Sequence, residues 1–131
     1  MVLVDTSVWI TIFRDSSGQA SHVLQHMLGE QDVALTRFHA LELLQGAKDD
    51  QEWDMLQSYL EPQEYLELLP PSWVTAARIY FDLRRQGLTV RSPIDCCIAQ
   101  IALDYDVLLI HQDKDFHTIA RIRPLRHQWF Q

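Results

Sequence analysis

Short apolar runs alternate with amphipathic stretches along the whole chain. Val2-Leu3-Val4 is a compact, β-branched-rich run and reads as a buried strand. Thr6-Ser7, just after Asp5, offers N-cap chemistry for a helix carrying Val8, Trp9, Ile12 and Phe13. Val23, Leu24, Met27 and Leu28 fall at helical spacing within 19–28, and Gly29 closes that segment. Val33-Ala34-Leu35 predicts a second strand, and Thr36 caps a helix from about Arg37 to Gln45 that ends at Gly46. Trp53, Leu56 and Leu60 form one stripe of a helix over 50–60, with Pro62 as the stop. A strand is expected over 65–69, before Pro70-Pro71. The longest helix is expected over 72–86, between Pro71 and Gly87, and another from Ser92-Pro93 to about Leu103. Val107 to Ile110 is the last clear strand. After Pro124 the pattern selects neither helix nor strand.

Short strands separated by helices predict an α/β fold: a short parallel sheet with helices on both faces, in three layers. No repeat or Gly/Ser linker interrupts the chain, so residues 1–131 are expected to form a single domain. In such sheets ligands gather beyond the carboxyl ends of the strands. The acids at those ends are therefore the first candidates for chemistry.

Composition narrows the classes. Of 131 residues, 47% are hydrophobic and 22% charged, a balance that argues against disorder. The apolar runs are far too short to span a bilayer, and the opening segment lacks the basic region of a secretory signal. A cytoplasmic protein without membrane contact is expected. Adjacent Cys96 and Cys97 provide neither a disulfide framework nor a two-by-two zinc site. His22 and His26 share a helix face, but no third ligand has zinc spacing. Glycine patterns for nucleotide phosphates and the serine-hydrolase elbow are missing. A net charge of −7 argues against simple electrostatic attraction to nucleic acid, though not against an enzyme that holds cations among carboxylates.

Asp5 follows the first strand, and Asp113 follows the last clear one with only His111-Gln112 between. Each has two readings, a cap for the next helix or a member of a site at the mouth of the sheet. Glu42 lies on a helix that is apolar on most sides; it is a surface residue or a third site member. Asp95 completes a capping box with Ser92, or it opens an almost uncharged helix toward the same site. Spacing alone leaves these pairs of readings open.

The whole pattern resembles the PIN-domain ribonucleases, and among them the VapC-type toxins of toxin–antitoxin pairs. The resemblance rests on Val2-Leu3-Val4-Asp5-Thr6-Ser7-Val8-Trp9-Ile10, Glu42-Leu43-Leu44-Gln45-Gly46 and Tyr80-Phe81-Asp82-Leu83-Arg84. It continues through Ser92-Pro93-Ile94-Asp95-Cys96-Cys97-Ile98-Ala99 and Leu108-Leu109-Ile110-His111-Gln112-Asp113-Lys114-Asp115-Phe116, covering nearly the full length in family order. It implies a PIN-like fold in which Asp5, Glu42, Asp95 and Asp113 form an acidic, metal-binding catalytic quartet. Ser7 and Thr6 would be supporting polar groups beside Asp5. Asp113 is preferred over Asp115 as the quartet member because it is nearer the strand end; Asp115 is expected to cap the helix beginning at Phe116 or to point away. The family often has Thr where this chain has His111.

Four converging carboxylates repel one another, and a hard dication with oxygen ligands, Mg²⁺ or Mn²⁺, is the physical remedy. Such a site without a nucleotide loop fits hydrolysis of RNA phosphodiesters. Arg14, Arg84, Arg85, Arg91, Lys114, Arg121, Arg123 and Arg126 are candidates for a basic rim. The stretch 45–67, rich in acids with only Lys48 opposing them, is expected to turn away from RNA. The resemblance further implies a VapB-type antitoxin whose tail covers the cleft, and a homodimer. Trp9, Phe13, Trp53, Trp73 and Tyr80 offer aromatic surface for contacts, most of it expected in the core. The alternative is a catalytically weak module serving mainly as a subunit of a DNA-binding repressor complex. A phospho-accepting receiver domain needs paired acids after the first strand, and only Asp5 is there.

Overall fold

A computed structural model describes residues 1–131. The elements run β1 (Val2–Val4), α1 (Thr6–Arg14), α2 (Gln19–Leu28), β2 (Val33–Ala34), α3 (Arg37–Gln45), α4 (Asp50–Leu60), α5 (Pro70–Arg85), α6 (Pro93–Tyr105), β3 (Leu108–His111), α7 (Lys114–Ala120) and β4 (His127–Trp129). The four strands lie in the order β2-β1-β3-β4, all parallel, with Val2 opposite Leu108 and Val4 opposite Ile110. The expected three-layer α/β arrangement is therefore present.

Alternation along the strands divides the core. Leu3 and Leu109 point to one face, where they meet Ile79 and Leu83 of α5, Ile98 and Ile101 of α6, and Phe116 and Ile119 of α7. Val2, Val4 and Ile110 point to the other, where Val8 of α1, Leu24 of α2 and Phe130 cover them. Because both faces are covered, β1 has no polar residue, and all three of its side chains are fully buried.

Two expectations need correction, and one open segment takes a definite form. No strand forms over 65–69. Tyr65 makes one parallel bridge to Leu35, through Leu35 N–H to Glu64 O (2.9 Å) and Leu66 N–H to Leu35 O (2.8 Å). β2 is too short to pair further, since Thr36 turns away to cap α3. The tail after Pro124 becomes β4, an edge strand whose pairing to β3 comes from tertiary docking rather than from a local pattern. Finally, Phe13, Trp53 and Trp73 are largely exposed instead of in the core.

Candidate metal and catalytic centre

The carboxyl ends of β1 and β3 lie side by side, so Asp5 and the β3–α7 turn open onto the same cleft. Asp5, 5% exposed, caps α1 and uses both oxygens. Oδ2 accepts the Ser7 hydroxyl (2.6 Å) and the Ser7 N–H (3.1 Å), while Oδ1 lies 3.1 Å from His39 Nε2. His39 is fully buried, and its Nδ1 accepts the Thr36 N–H at 3.2 Å. A ring nitrogen that accepts a backbone proton cannot carry its own, so in the neutral imidazole the proton sits on Nε2 and is donated to Asp5. The Ser7 hydroxyl also accepts the Gln112 N–H (3.0 Å), which ties the end of β1 to the turn carrying Asp113.

Thr6 points to Glu42 rather than to Asp5, donating its hydroxyl to Oε1 at 3.2 Å. Ser92 caps α6 through the Ile94 N–H (3.1 Å), but the expected capping box with Asp95 is not made. Instead the Asp95 carboxylate meets Asp113 and Asp115, with one oxygen from each of the three within 4.8 Å of the others. Asp113 is the N-cap of α7, its Oδ1 accepting the Asp115 N–H at 2.9 Å. Asp115 does not point away. The helix begins at Lys114, two residues earlier than expected, and this brings the largely buried Asp115 carboxylate into the cluster. Arg91 closes the group: its Nη2 is 2.8 Å from Asp113 Oδ2, and its Nε and backbone N–H each reach Asp115 Oδ2 at 3.1 Å.

The electrostatics follow from this crowding. Burial, then the charges of Asp113 and its neighbours, push the Asp95 carboxyl up to about 8. Burial and the Asp5 charge raise Glu42 as well, and Asp113 adds to the effect. Asp5 differs: burial opposes its charge, but the bonds from His39 and Ser7 outweigh that and hold it below the ordinary value. Asp5, Glu42, Asp95, Asp113 and Asp115 thus share one field, in which one acid is stably ionised and another keeps its proton. The donors are all hard oxygens, and the excess negative charge is what a dication would neutralise. On those grounds the residues fit Mg²⁺ or Mn²⁺.

His111 lies beside the cluster without joining it. Its Nδ1 accepts the Asp113 N–H (3.2 Å), and its Nε2 is 3.0 Å from His127 Nδ1. The rings of Phe116, His117, His127 and Trp129 surround it. Burial pushes the Cys96 thiol up to about 12, which leaves no nucleophile there. Among the expected rim cations, Arg123 is bound to Asp82 (2.8 Å) and Arg126 to Asp106 (3.4 Å). His39 was not foreseen. Its place three residues before Glu42 and three after Thr36 was the available signal, because that spacing puts it on the Thr36 cap and on the face bearing Glu42.

This fold and this set of acids define a PIN domain, and the chain belongs to that family, whose match covers residues 2–122. Within it, the chain is 35% identical to VapC ribonuclease Mb1587 of Mycobacterium bovis over 134 residues, all of both chains, and equally to ribonuclease VapC11 of Mycobacterium tuberculosis. Its fold is similar to that in VapBC2 from Rickettsia felis bound to a promoter DNA fragment, with a TM-score of 0.79, 17% identity and full coverage of both chains. It is similar also to VapBC-1 from nontypeable Haemophilus influenzae, with a TM-score of 0.78, 20% identity, and 99% and 98% of the two chains covered.

Proposed function

We propose that this protein is a metal-dependent endoribonuclease and the toxin of a toxin–antitoxin pair. The observation that carries the reading is the gathering of Asp95, Asp113 and Asp115 oxygens within 4.8 Å, beside Asp5 and Glu42, in a chain similar from end to end to VapC ribonucleases. Asp5, Glu42, Asp95 and Asp113 would hold the ion, with Asp115 beside them and Ser7 and Thr6 as supports. When bound, Mg²⁺ or Mn²⁺ polarises the scissile phosphate and lowers the pKa of a water. The chain's own residues do the rest. His39 and Ser7 fix both oxygens of Asp5 before substrate arrives. Asp95 releases its proton as the cation takes over the neutralising role. Burial and the Asp5 charge raise Glu42 above its ordinary value, and Thr6 holds its Oε1 in place.

No helix is long and apolar enough to cross a membrane, in keeping with action in the cytoplasm on RNA. An antitoxin of the VapB type would cover the cleft, and the exposed Phe13 and Trp73 offer apolar surface for it or for a homodimer partner. Residues 1–131 would act as one domain, since β4 completes the sheet that carries the site. Similarity to VapC ribonucleases over the whole chain favours the enzymatic reading over a repressor subunit without catalysis.

The test is cleavage of total RNA by the purified chain under Mg²⁺ and Mn²⁺ titration. Cleavage that rises with metal, stops in EDTA and is lost in Asp5→Asn is expected. RNA left intact at every metal concentration would refute the proposal.

A further inference from the structure

Arg91 stands in the loop between α5 and α6 with its side chain 78% exposed, yet its guanidinium is fixed at the mouth of the acid cluster. Three contacts hold it: Nη2 to Asp113 Oδ2 (2.8 Å), Nε to Asp115 Oδ2 (3.1 Å), and its own backbone N–H to that same oxygen (3.1 Å). Asp113 Oδ1 accepts the Asp115 N–H, and Arg91 covers Oδ2, the oxygen that has no other bond within the chain. One guanidinium charge is thereby shared between two of the three clustered carboxylates, which leaves the group with excess negative charge. A guanidinium can make the same planar, two-point contact with a phosphodiester.

We propose that Arg91 is an exchangeable counter-ion and a substrate-positioning residue: it rests on Asp113 and Asp115 in the metal-free protein, gives up Asp113 when a divalent cation binds, and then takes a phosphate of the RNA at the rim of the cleft. This rests on the ribonuclease reading above. The backbone N–H of Arg91 stays on Asp115 through the exchange, so the side chain pivots from a fixed base and remains within reach of the site. Its long exposed stem lets the head move without disturbing the core. Competition gives the exchange a sign. Removing the guanidinium must make the cation bind more tightly while RNA binds more weakly. A residue that only staples the loop would instead weaken both.

The experiment uses the full chain as wild type, Arg91→Met and Arg91→Lys. Mn²⁺ affinity is measured by calorimetry without RNA, and kcat and KM are measured on a single-stranded RNA oligonucleotide at saturating Mn²⁺. Arg91→Met should bind Mn²⁺ about three- to tenfold more tightly, since one competing ion pair at a partly exposed site is lost. Its KM for RNA should rise about tenfold with kcat little changed, the mark of lost ground-state binding. Arg91→Lys, which keeps the charge but not the fork, should fall between the two in both readouts. A melting curve in saturating Mn²⁺ establishes that each variant is folded. Unchanged or weakened Mn²⁺ affinity in folded Arg91→Met overturns the exchange, and an unchanged KM overturns the phosphate contact. If the wild type binds Mn²⁺ but cleaves no RNA, the ribonuclease reading fails while the calorimetric comparison still decides the exchange.

Discussion

Two groups of ionisable side chains, each with a buried member, meet at the end of β3 and solve the same difficulty in opposite ways. On one side, Asp95, Asp113 and Asp115 bring like charges together, and one of them must keep a proton. On the other, His111 stacks on His127 and meets Trp129 and His117 edge-on, and burial, with His127 and His117 nearby, pushes His111 down to about 4. The lowered His111 and His127 close their own circuit: Asp113 N–H to His111 Nδ1, then His111 Nε2–H to His127 Nδ1. They need nothing from outside. The acids are left with charge that the chain balances only through Arg91 and a retained proton. Polar burial that is internally satisfied marks structure; polar burial that leaves charge uncompensated marks a binding site.

The largest expected effect breaks the acid side. Asp95→Asn should lower RNA cleavage about 10²–10⁴-fold, the scale of a lost metal role worth roughly 3–5 kcal/mol of barrier. The metal-free variant should melt higher than wild type, because a crowded carboxyl has been replaced by a neutral amide. Lower melting with normal cleavage would make Asp95 a helix cap and nothing more. On the imidazole side the signature reverses. His127→Leu strands the fully buried His111 Nε2–H, which should cost about 1–3 kcal/mol of stability. Mn²⁺ affinity of the folded variant should stay at the wild-type value, as calorimetry would report.

How far these roles could be read from the chain alone differs by residue. Asp5 and Asp113 were visible because an apolar strand ending in an acid places that acid at the sheet mouth. The assignment of Asp115 failed by two helical positions, and the side-chain direction changed with it. His39 joins Asp5 across 34 residues, a contact created by the packing of α3 beside β1 that no local pattern encodes. Helix limits were legible where Gly or Pro ended an apolar stripe, as for α2 and α4. β4 has no such punctuation and exists only because β3 offers it an edge.

The two groups also predict opposite pH arms. Asp95 in the metal-free fold holds its proton up to about 8, against an ordinary value of 3.8. Its contribution to stability is therefore full below about pH 4 and is lost as pH rises through 8. His111 is held at about 4 against an ordinary 6.5, so its contribution is present above 6.5 and is lost as pH falls through 4. Between 4 and 6.5 the two slopes oppose each other, and above 6.5 only the Asp95 decline remains. In EDTA the melting advantage of Asp95→Asn over wild type should grow from pH 6.5 to 8 and then level off. Saturating Mn²⁺ should abolish it. An advantage that is constant with pH would show that Asp95 is ionised throughout.

The smallest effect concerns the support of Glu42. Thr6→Val removes the hydroxyl that holds Oε1 and should cost about 0.5–1.5 kcal/mol of stability. Cleavage should fall less than about tenfold, since the carboxylate itself remains. A loss as large as that of Asp95→Asn would place Thr6 in direct contact with the ion or the RNA.

The central claim is that the crowded acids are one cation site, and proton release on metal binding tests it most directly. Mn²⁺ is titrated into the metal-free protein at pH 7 in two buffers of different ionisation enthalpy. Binding should release about one proton per ion from Asp95, and both the release and most of the affinity should vanish in Asp95→Asn. Binding without proton release, or an undiminished affinity in the variant, would place the metal elsewhere and contradict the account.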